Sequence, residues 1–292
     1  MKPGGKSTPN GLHYRVAVAD LHAHLYRVTL TISQPADVQM LRLPVWIPGS
    51  YLIREFSKNL QRLQAHQGKR ACTIRQCDKQ SWEVDCPGDV PLVVDYEIYA
   101  LDNSVRSAWL DASRGFFNGT SVFLQVEGQV ALAHRLELVP NAQLPDWQVA
   151  TGLAPVKVDR RGFGTYLAAD YDELVDCPVE MGTFWRGDFV AAGVRHRFVV
   201  AGAAPSFDGP RLLADTRKIC EAAIRLWHGK VERAGRGGKP PHQDYLFMLN
   251  VVEDAYGGLE HRNSTVLIAA RKDLPRVAAG AASVRQPDGY TT

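Results

Sequence analysis

The chain has 292 residues, 45% of them hydrophobic and 22% charged, a composition typical of a globular protein with a sizeable core. Its formal net charge of +3 at pH 7 is too small to indicate nucleic acid or an anionic membrane as a partner. No apolar run approaches the ~18 residues that a transmembrane helix requires. These features leave a globular enzyme or a binding module as the classes to be distinguished.

The cysteines indicate a reducing compartment. Their number is odd and no Cys-x-x-Cys motif occurs, so free thiols are the simplest interpretation. The tail Met1–Gly11 is polar and lacks the apolar core of a secretory signal peptide. We therefore expect a cytoplasmic protein, with a Cys72–Cys86 disulfide across neighbouring strands as the alternative for one pair. The five cysteines are Cys72, Cys77, Cys86, Cys177 and Cys220.

Residues 1–203 have the pattern of a mainly β N-terminal domain. His13–Val18 and Leu25–Ile32 alternate apolar and polar residues, as half-buried strands do. Turn signals such as Pro87-Gly88-Asp89 separate the strands, and a helical turn is expected within Gly49–Leu60. The predicted architecture is an antiparallel sandwich or saddle of sheets. Further predicted strands are Trp82–Val84, Leu92–Leu101, Val122–Val126, His134–Val139, Thr165–Leu167 and His196–Val200.

The pattern changes after Gly202, where the sequence predicts an amphipathic helix over about 210–228. Ser206 or Asp208 is the expected N-cap, and Pro210 suits the first helical turn. Apolar residues between Leu212 and Trp227 recur at i, i+3, i+4 and i+7. Gly229 is expected to end the helix. The apolar stripe is predicted to pack on a sheet.

Residues 204–292 are therefore predicted to begin a second domain of α+β type. The helix is followed by a strand region over about 244–270, which includes the apolar run Tyr245–Val252. The last segment, Arg271–Thr292, has little capacity to form a core. One helix with two or three strands is marginal as an independent unit, so this domain is predicted to be incomplete.

The stretch between two apolar runs, Tyr245–Val252 and Val266–Ala270, concentrates the chemistry of the chain. Gly257-Gly258 is followed closely by a carboxylate, an imidazole and a guanidinium in Glu260–Arg262. Paired glycines permit a positive φ or the close approach of another backbone. One interpretation is a hairpin that turns at Gly257-Gly258 and carries solvated charges. The other is an edge strand that binds an extended peptide and presents Glu260 to its free amine.

Two sequence motifs favour the edge-strand interpretation, because each resembles a motif of the same known family. Gly-Gly-Leu-Glu-His-Arg-Asn-Ser-Thr at 257–265 resembles the exopeptidase strand of the glycyl aminopeptidase family of zinc metallopeptidases. These gluzincins are distantly similar to aminopeptidase N, whose corresponding motif is Gly-x-Met-Glu-Asn. The segment Leu43–Asn59 resembles the N-terminal signature of the same family. The resemblance covers essentially the whole chain but only part of the family architecture.

The resemblance implies that the second domain is the start of a thermolysin-like catalytic domain. It implies an aminopeptidase that releases small, glycine-like N-terminal residues from peptides with a free N-terminus. Glu260 would bind the α-amine of the substrate, while Gly257, Gly258 and Leu259 would line the cleft. His261 would be a cleft residue and not a zinc ligand. Nucleic acid and membrane are not expected as partners.

A gluzincin holds zinc through H-E-x-x-H, which places two imidazoles on one face of a helix. No pair of histidines here has that spacing, and the resemblance would place the zinc helix just past Thr292. We therefore expect zinc in the full-length protein, no metal site or catalytic residue in this chain, and no activity of this chain alone. His22 and His24 could chelate a metal, but two surface histidines are the preferred interpretation. The histidines are His13, His22, His24, His66, His134, His196, His228, His242 and His261.

Two other functions are compatible with a β-rich chain. A non-catalytic peptide-binding module would keep the gripping strand without the metal. A carbohydrate-binding sandwich would use the six tryptophans but leaves residues 250–270 unexplained. Trp46, Pro48 and Tyr51 are either substrate contacts or packing residues. Phe116–Thr120 is expected to form a tight turn.

Overall fold

The computed structural model describes residues 11–47, 49–229 and 240–277. The expected mainly β architecture is confirmed, with several sheets and two α-helices in these ranges. The strands before residue 184 are β1 Leu12–Asp20, β2 Leu25–Ile32, β3 Val38–Arg42, β4 Leu60–Gln67, β5 Arg70–Ala71, β6 Ile74–Gln76, β7 Ser81–Asp85, β8 Leu92–Tyr99, β9 Ala108–Leu110, β10 Arg114–Phe117, β11 Gln125–Val126, β12 His134–Leu138, β13 Gln148–Thr151, β14 Ala154–Val158, β15 Gly164–Ala168 and β16 Val179–Gly182. The remaining elements are the helices α1 Tyr171–Val175 and α2 Gly209–His228, the strands β17 Phe184–Ala191, β18 Val194–Ala201, β19 Asp244–Val252, β20 Gly257–Glu260 and β21 Ser264–Ala270, and the 3₁₀ turns Phe56–Asn59, Gly119–Ser121 and Arg271–Asp273.

Three sheets form the part before residue 184. The largest has eight strands in the order β14-β15-β12-β1-β2-β8-β4-β5, and two four-stranded sheets have the orders β13-β16-β10-β9 and β11-β3-β7-β6. Pairing is antiparallel except between β1 and β12. Alternate residues of the central strands, such as Tyr14, Val28 and Leu30, are fully buried. Their burial follows from the two-residue period of a strand with one face on the core.

One predicted strand has a different conformation. Most of Val122–Val126 follows a 3₁₀ turn, and only Gln125–Val126 pairs in a sheet. The Asn118 side chain caps the turn by accepting a hydrogen bond from the Thr120 amide. Val122 and the two residues after it are buried without forming a strand. Apolar composition alone therefore did not distinguish a buried coil from a buried strand.

The fourth sheet has five strands in the order β17-β18-β19-β21-β20. The pairs β18–β19 and β19–β21 are parallel, whereas the outer strands β17 and β20 are antiparallel to their neighbours. This sheet takes Phe184–Ala201 from the part of the chain before residue 203. The division of the chain into domains at residue 203 stays a prediction.

The two faces of this sheet have different neighbours. Leu246, Met248, Leu259, Val266 and Ile268 join the hydrophobic core of the N-terminal sheets, and we call their side the core-side face. The opposite face, here the helix-side face, packs against α2. On this face, four buried residues pack in one hydrophobic cluster with Leu212 of α2: Phe198, Val200, Leu249 and Val251.

The termini of α2 follow the local signals. The Asp208 side chain accepts a hydrogen bond from the Arg211 amide at 3.1 Å, and Pro210 lies in the first turn. Gly229 ends the helix with φ near +74°, a conformation that glycine adopts without strain. Neither described helix is both long and apolar enough to cross a membrane.

The predicted packing of the whole apolar stripe of α2 is wrong in part. Leu212 and Ile224 are buried against the sheet, but Ile219, Leu226 and Trp227 are exposed. The apolar arc of the helix is wider than the contact that the sheet offers. Part of the stripe therefore has no partner among the described residues.

Candidate functional site

The segment that carries Glu260 is the outer strand of the five-stranded sheet. In β20, Gly257 lies opposite Ile268 and Glu260 lies opposite Thr265 of β21. No described strand pairs with the other side of β20. An outer strand presents unpaired backbone N–H and C=O groups, to which an extended peptide can add as a further strand.

The two glycines lie inside this strand and not in the turn. Neither has φ in the left-handed region, so neither is required for backbone conformation. A Cβ on Gly257 would meet nothing within 4 Å, and one on Gly258 would lie 3.3 Å from Cδ2 of Leu267. The interpretation of Gly257-Gly258 as a hairpin turn is therefore wrong: the chain turns at 261–263. What the glycines provide is a strand surface free of side chains.

Leu259 and Glu260 point to opposite faces. Leu259 is fully buried in the N-terminal core, whereas Glu260 is exposed on the helix-side face, the side toward which a Cβ of Gly258 would point. Burial raises the pKa of the Tyr245 phenol, and the negative charge of Glu260 acts in the same direction. The Tyr245 hydroxyl contacts Thr265 Oγ1 at 2.5 Å. The carboxylate thus stands at the end of an open strand edge, beside a tyrosine.

Asp176, the residue that ends α1, fixes the turn after Glu260. Its Oδ1 lies 2.9 Å from Nδ1 of His261, and its Oδ2 accepts a hydrogen bond from the Arg262 amide at 3.1 Å. Because a carboxylate only accepts, this contact places the proton of a neutral His261 on Nδ1. The His261 side chain is 1% exposed, and its Nε2 has no hydrogen-bond partner among the described residues. Its substrate-binding role stays a prediction, and the geometry gives it a positioning role in the turn.

Asn263 attaches the same turn to the N-terminal sheets. Its Nδ2 donates to the carbonyl of Gly152 at 3.0 Å, and Cys177 Sγ lies 3.7 Å from its Oδ1. A Cβ on Gly152 would lie 2.3 Å from that oxygen, so a larger residue there would displace the Asn263 side chain. Asp176 and Gly152 were not predicted as site residues, because no local pattern relates them to a turn 85 or more residues away.

The two family-like motifs meet in space. Gly49 has φ near +81°, and a Cβ there would lie 3.1 Å from Cδ1 of Leu259. Trp46 is half-exposed and its indole N–H donates to the Ser50 carbonyl at 2.8 Å, while Tyr51 is fully exposed. Neither aromatic residue is a core residue in the described part of the chain, and Pro48 lies outside the described residues. The N-terminal signature thus supports β20 from the core side.

A separate cavity of about 730 Å³ lies between the N-terminal sheets and the carboxyl ends of β18 and β19. Asn103, Trp109, Trp185 and Asn250 are among its lining residues. The side-chain Nδ2 of Asn250 donates a hydrogen bond to Oδ1 of Asn103 at 2.8 Å, which connects the two walls of the cavity. None of the predicted site residues lines this cavity.

The described residues contain no group of three side chains able to hold a metal ion. His24 Nδ1 lies 2.6 Å from the carbonyl of Leu110, and His22 is exposed in the adjacent turn. All five cysteines are free thiols, including Cys72 and Cys86. Within residues 11–47, 49–229 and 240–277, the side chains do not form a zinc site of the kind that a gluzincin uses.

Comparison with known proteins identifies the family. Residues 13–183 match the peptidase M61 N-terminal domain. The chain belongs to the peptidase M61 family. It is also 40% identical to a crystal structure described as an aminopeptidase N family protein from Idiomarina loihiensis, with a TM-score of 0.86 over 96% of this chain. The M61 chain spans 45% of the length of that relative. A comparison with curated proteins gave no match.

More distant structures share the fold. An M1 zinc metallopeptidase from Deinococcus radiodurans is 15% identical over 89% of the M61 chain and 59% of its own, with a TM-score of 0.51. A variant of that enzyme, bound to a Tyr-Ser-Ala substrate, gives 14% identity over 88% of the M61 chain and 59% of its own, with the same TM-score. The M61 chain therefore has the fold of the corresponding part of aminopeptidase N-like metallopeptidases.

Proposed function

We propose that this chain is the N-terminal part of a zinc-dependent aminopeptidase of the glycyl aminopeptidase type. It would release small N-terminal residues from peptides. The observation that carries the proposal is the position of Glu260, on an open strand edge where an extended peptide can pair. Its negative charge is suited to an α-ammonium group. A metallopeptidase with the same fold has been solved with a Tyr-Ser-Ala substrate, which supports peptides as the substrate class.

Recognition of the substrate would use two kinds of contact. Backbone groups of β20 would pair with the peptide main chain, for which the bare surface of Gly257 and Gly258 leaves room. The Glu260 carboxylate would accept hydrogen bonds from the free amine and set the distance to the first peptide bond. The clamp on the following turn by Asp176 would hold this carboxylate in register with the strand.

The exposure of Glu260 differs from the buried carboxylate that strong discrimination requires. A carboxylate in water gains little from an ammonium partner, whereas a desolvated carboxylate loses much when its partner is absent. We infer that Glu260 discriminates free from blocked N-termini only when another part of the protein covers it. This agrees with the proposal that the chain alone is inactive and that its zinc ligands lie beyond Thr292. We also propose a cytoplasmic location, which cell fractionation tests.

Kinetics of the full-length protein with paired substrates test the function. Glu260→Gln keeps the size of the side chain and removes its charge, so kcat/KM for a free-amine substrate should fall about 10- to 100-fold. The rate on the matching N-acetylated substrate should change little. Asp254→Asn, an exposed carboxylate in the preceding loop, is the matched control and should leave both rates unchanged.

Equal losses on both substrates would remove the amine-binding role of Glu260. The alternative function, a non-catalytic peptide-binding module, makes a different prediction. It requires that the native polypeptide ends near residue 292 and binds peptides without hydrolysing them. The intact mass of the native protein separates the two, since a mass close to 32.3 kDa favours the module. One tightly held zinc per 292-residue chain would contradict the proposed location of the metal.

A further inference from the structure

Two cysteines of the N-terminal sheets lie opposite each other across antiparallel strands. Strands β6 and β7 pair with Ile74 opposite Val84. Two residues further in the same register, Cys72 comes opposite Cys86. Both cysteines are free thiols in this structure. The strand register therefore brings together two thiols that are 14 positions apart in the sequence.

The hydrogen bonds of the ladder show which kind of pair they form. The Asp85 amide donates to the Thr73 carbonyl at 3.0 Å, so these two residues form a hydrogen-bonded pair. The next pair along, Cys72 with Cys86, is then a non-hydrogen-bonded pair, and the Cys72 amide donates instead to the Ala65 carbonyl at 2.9 Å. Such pairs have Cα atoms about 4.5 Å apart. A disulfide requires a Cα separation of roughly 4.4–6.8 Å, so the backbone already permits the bond.

The two side chains also share a face of the sheet. Residues directly opposite each other in an antiparallel pair point to the same side. Cys86 and Val84 belong to the hydrophobic core of the N-terminal sheets, and Cys72 and Ile74 are partly buried against it. Burial raises the pKa of the Cys86 thiol to about 11, and the nearby Cys72 acts in the same direction. Cys86 is therefore a protonated thiol that lies beside Cys72.

The two thiols differ in access. Cys86 is 5% exposed, whereas Cys72 is half-buried and lines a surface cavity of about 590 Å³. His66 and Lys69 are among the other residues that line this cavity. A small reagent in the cavity can reach Cys72 but not Cys86. One accessible thiol with a sheltered thiol beside it is the arrangement of an attacking and a resolving cysteine.

We propose that Cys72 and Cys86 form a reversible disulfide when a low-molecular-weight disulfide enters the cavity at Cys72. The Cys72 thiolate attacks one sulfur of the reagent, which releases one thiol and leaves a mixed disulfide on Cys72. Cys86 loses its proton to solvent, and its sulfur attacks that of Cys72 and releases the second thiol. Two cysteine thiols are oxidised to one disulfide, and the reagent is reduced to two thiols. The proposal is independent of the peptidase function.

Mass mapping of the 292-residue chain after treatment with glutathione disulfide tests the proposal. Free thiols are trapped with iodoacetamide before the chain is denatured and digested without reduction. Trypsin places Cys72, Cys77 and Cys86 in different peptides, and the expected product links residues 71–75 to residues 80–106. Cys77 is nearer to Cys72 in sequence, so the unfolded chain closes the shorter loop more readily. Selection of Cys86 therefore reports the folded register.

Substitutions test the order of the two steps. Cys86→Ser should retain one glutathione on Cys72, because the resolving thiol is absent. In Cys72→Ser, loss of the Cys86 thiol should be at least about tenfold slower than in the unsubstituted chain, because that thiol is buried. Cys77→Ser, at an exposed cysteine outside the pair, is the matched control and should form the linked peptide at the original rate.

Three results would each overturn the proposal. They are a mixed disulfide on Cys72 that persists in the unsubstituted chain, a bond from Cys72 to Cys77, and no reaction at Cys72. The linked peptide is read from the unsubstituted chain, so the test stands even if a serine variant fails to fold. An absence of aminopeptidase activity in the full-length protein would leave this result unchanged.

Discussion

The turn that follows Glu260 is held by a residue outside the sequence motif. Asp176 contacts both His261 and the amide of Arg262, and it lies at the end of a helix of the N-terminal part. His261 is almost fully buried, so its ring cannot exchange this partner for water. The turn after β20 is therefore held by a contact that spans the two halves of the chain.

Loss of this carboxylate should destabilise the protein. Asp176→Ala leaves the buried imidazole N–H of His261 without an acceptor, which typically costs about 1–3 kcal/mol. It also removes the acceptor of the exposed Arg262 amide, which water can replace. We expect a lower urea midpoint for Asp176→Ala. Asp89→Ala, at an exposed loop carboxylate, should leave the midpoint unchanged. Identical midpoints for the two variants would show that Asp176 does not hold the turn.

His196 should make stability depend on pH. The residue is 2% exposed, and its ring stacks on Phe189 with ring centroids 5.0 Å apart and lies 6.0 Å from the ring of His242. Burial lowers the pKa of His196 below 6.5. As the pH falls through 6.5, the unfolded state takes up the proton first, so this contribution to stability is present above pH 6.5 and is lost toward the lower folded-state pKa.

The variant His196→Phe should remove this contribution. The free energy of unfolding, measured from pH 8 to pH 5, should fall less steeply for His196→Phe than for the unmodified protein. One group changes the slope by at most about 1.4 kcal/mol per pH unit. His22→Gln, at an exposed turn, should retain the original slope. An unchanged slope in His196→Phe would place the pH dependence elsewhere.

At the scale of the element, one face of β20 packs on the protein core and the other face is accessible. Leu259 packs on the core and approaches Gly49, while the opposite face and the outer edge are open. Local patterns were enough to predict the neighbouring strands and the edge-strand alternative for residues 257–260. They did not separate strand from turn for Gly257-Gly258, because a glycine pair suits a tight turn and also a strand that another backbone approaches closely.

Substitution of Gly258 distinguishes an effect on stability from an effect on peptide binding. Gly258→Ala adds a methyl group on the Glu260 side, 3.3 Å from the tip of a flexible leucine, so the free energy of unfolding should change by less than about 1 kcal/mol. In the full-length protein the same methyl group should hinder the approach of a peptide and raise KM. Gly257→Ala is the variant for comparison with Gly258→Ala, because its added methyl group would have no neighbour within 4 Å. An unaffected KM in Gly258→Ala would mean that the peptide does not pass over this position.

At the scale of the whole molecule, the features that depend on neighbouring residues could be predicted from the sequence. Those that depend on contacts between distant residues could not. Helix α2 was predicted with its Asp208 cap and Gly229 end, because these signals lie within a few residues of the elements they define. The position of β18 next to β19 was not predicted, since it depends on parallel pairing of Arg195 with Asp244, 49 positions later. The zinc helix was expected only through resemblance, and no H-E-x-x-H motif occurs in the sequence.

The five-stranded sheet and the N-terminal sheets share one hydrophobic core, which bears on the stability of the family's N-terminal domain. Residues 13–183 match this domain as a unit of sequence, yet Val199, Met248 and Leu259 belong to the same hydrophobic cluster as the N-terminal sheets. Removal of the five-stranded sheet would expose this apolar surface, at a cost of roughly 25 cal/mol for each Å². It would also remove the partners of Asp176. The N-terminal domain should therefore be less stable alone than within the chain.

A chain of residues 1–183 tests this directly against a chain of residues 1–277, which keeps every described strand. Unfolding in urea, followed by tryptophan fluorescence and far-ultraviolet circular dichroism, should give a lower midpoint for the shorter chain. The longer chain should unfold in one transition with both probes, because one core joins its sheets. Two separate transitions in the longer chain, the first matching loss of the five-stranded sheet, would instead show that the N-terminal sheets fold independently of the strand that carries Glu260.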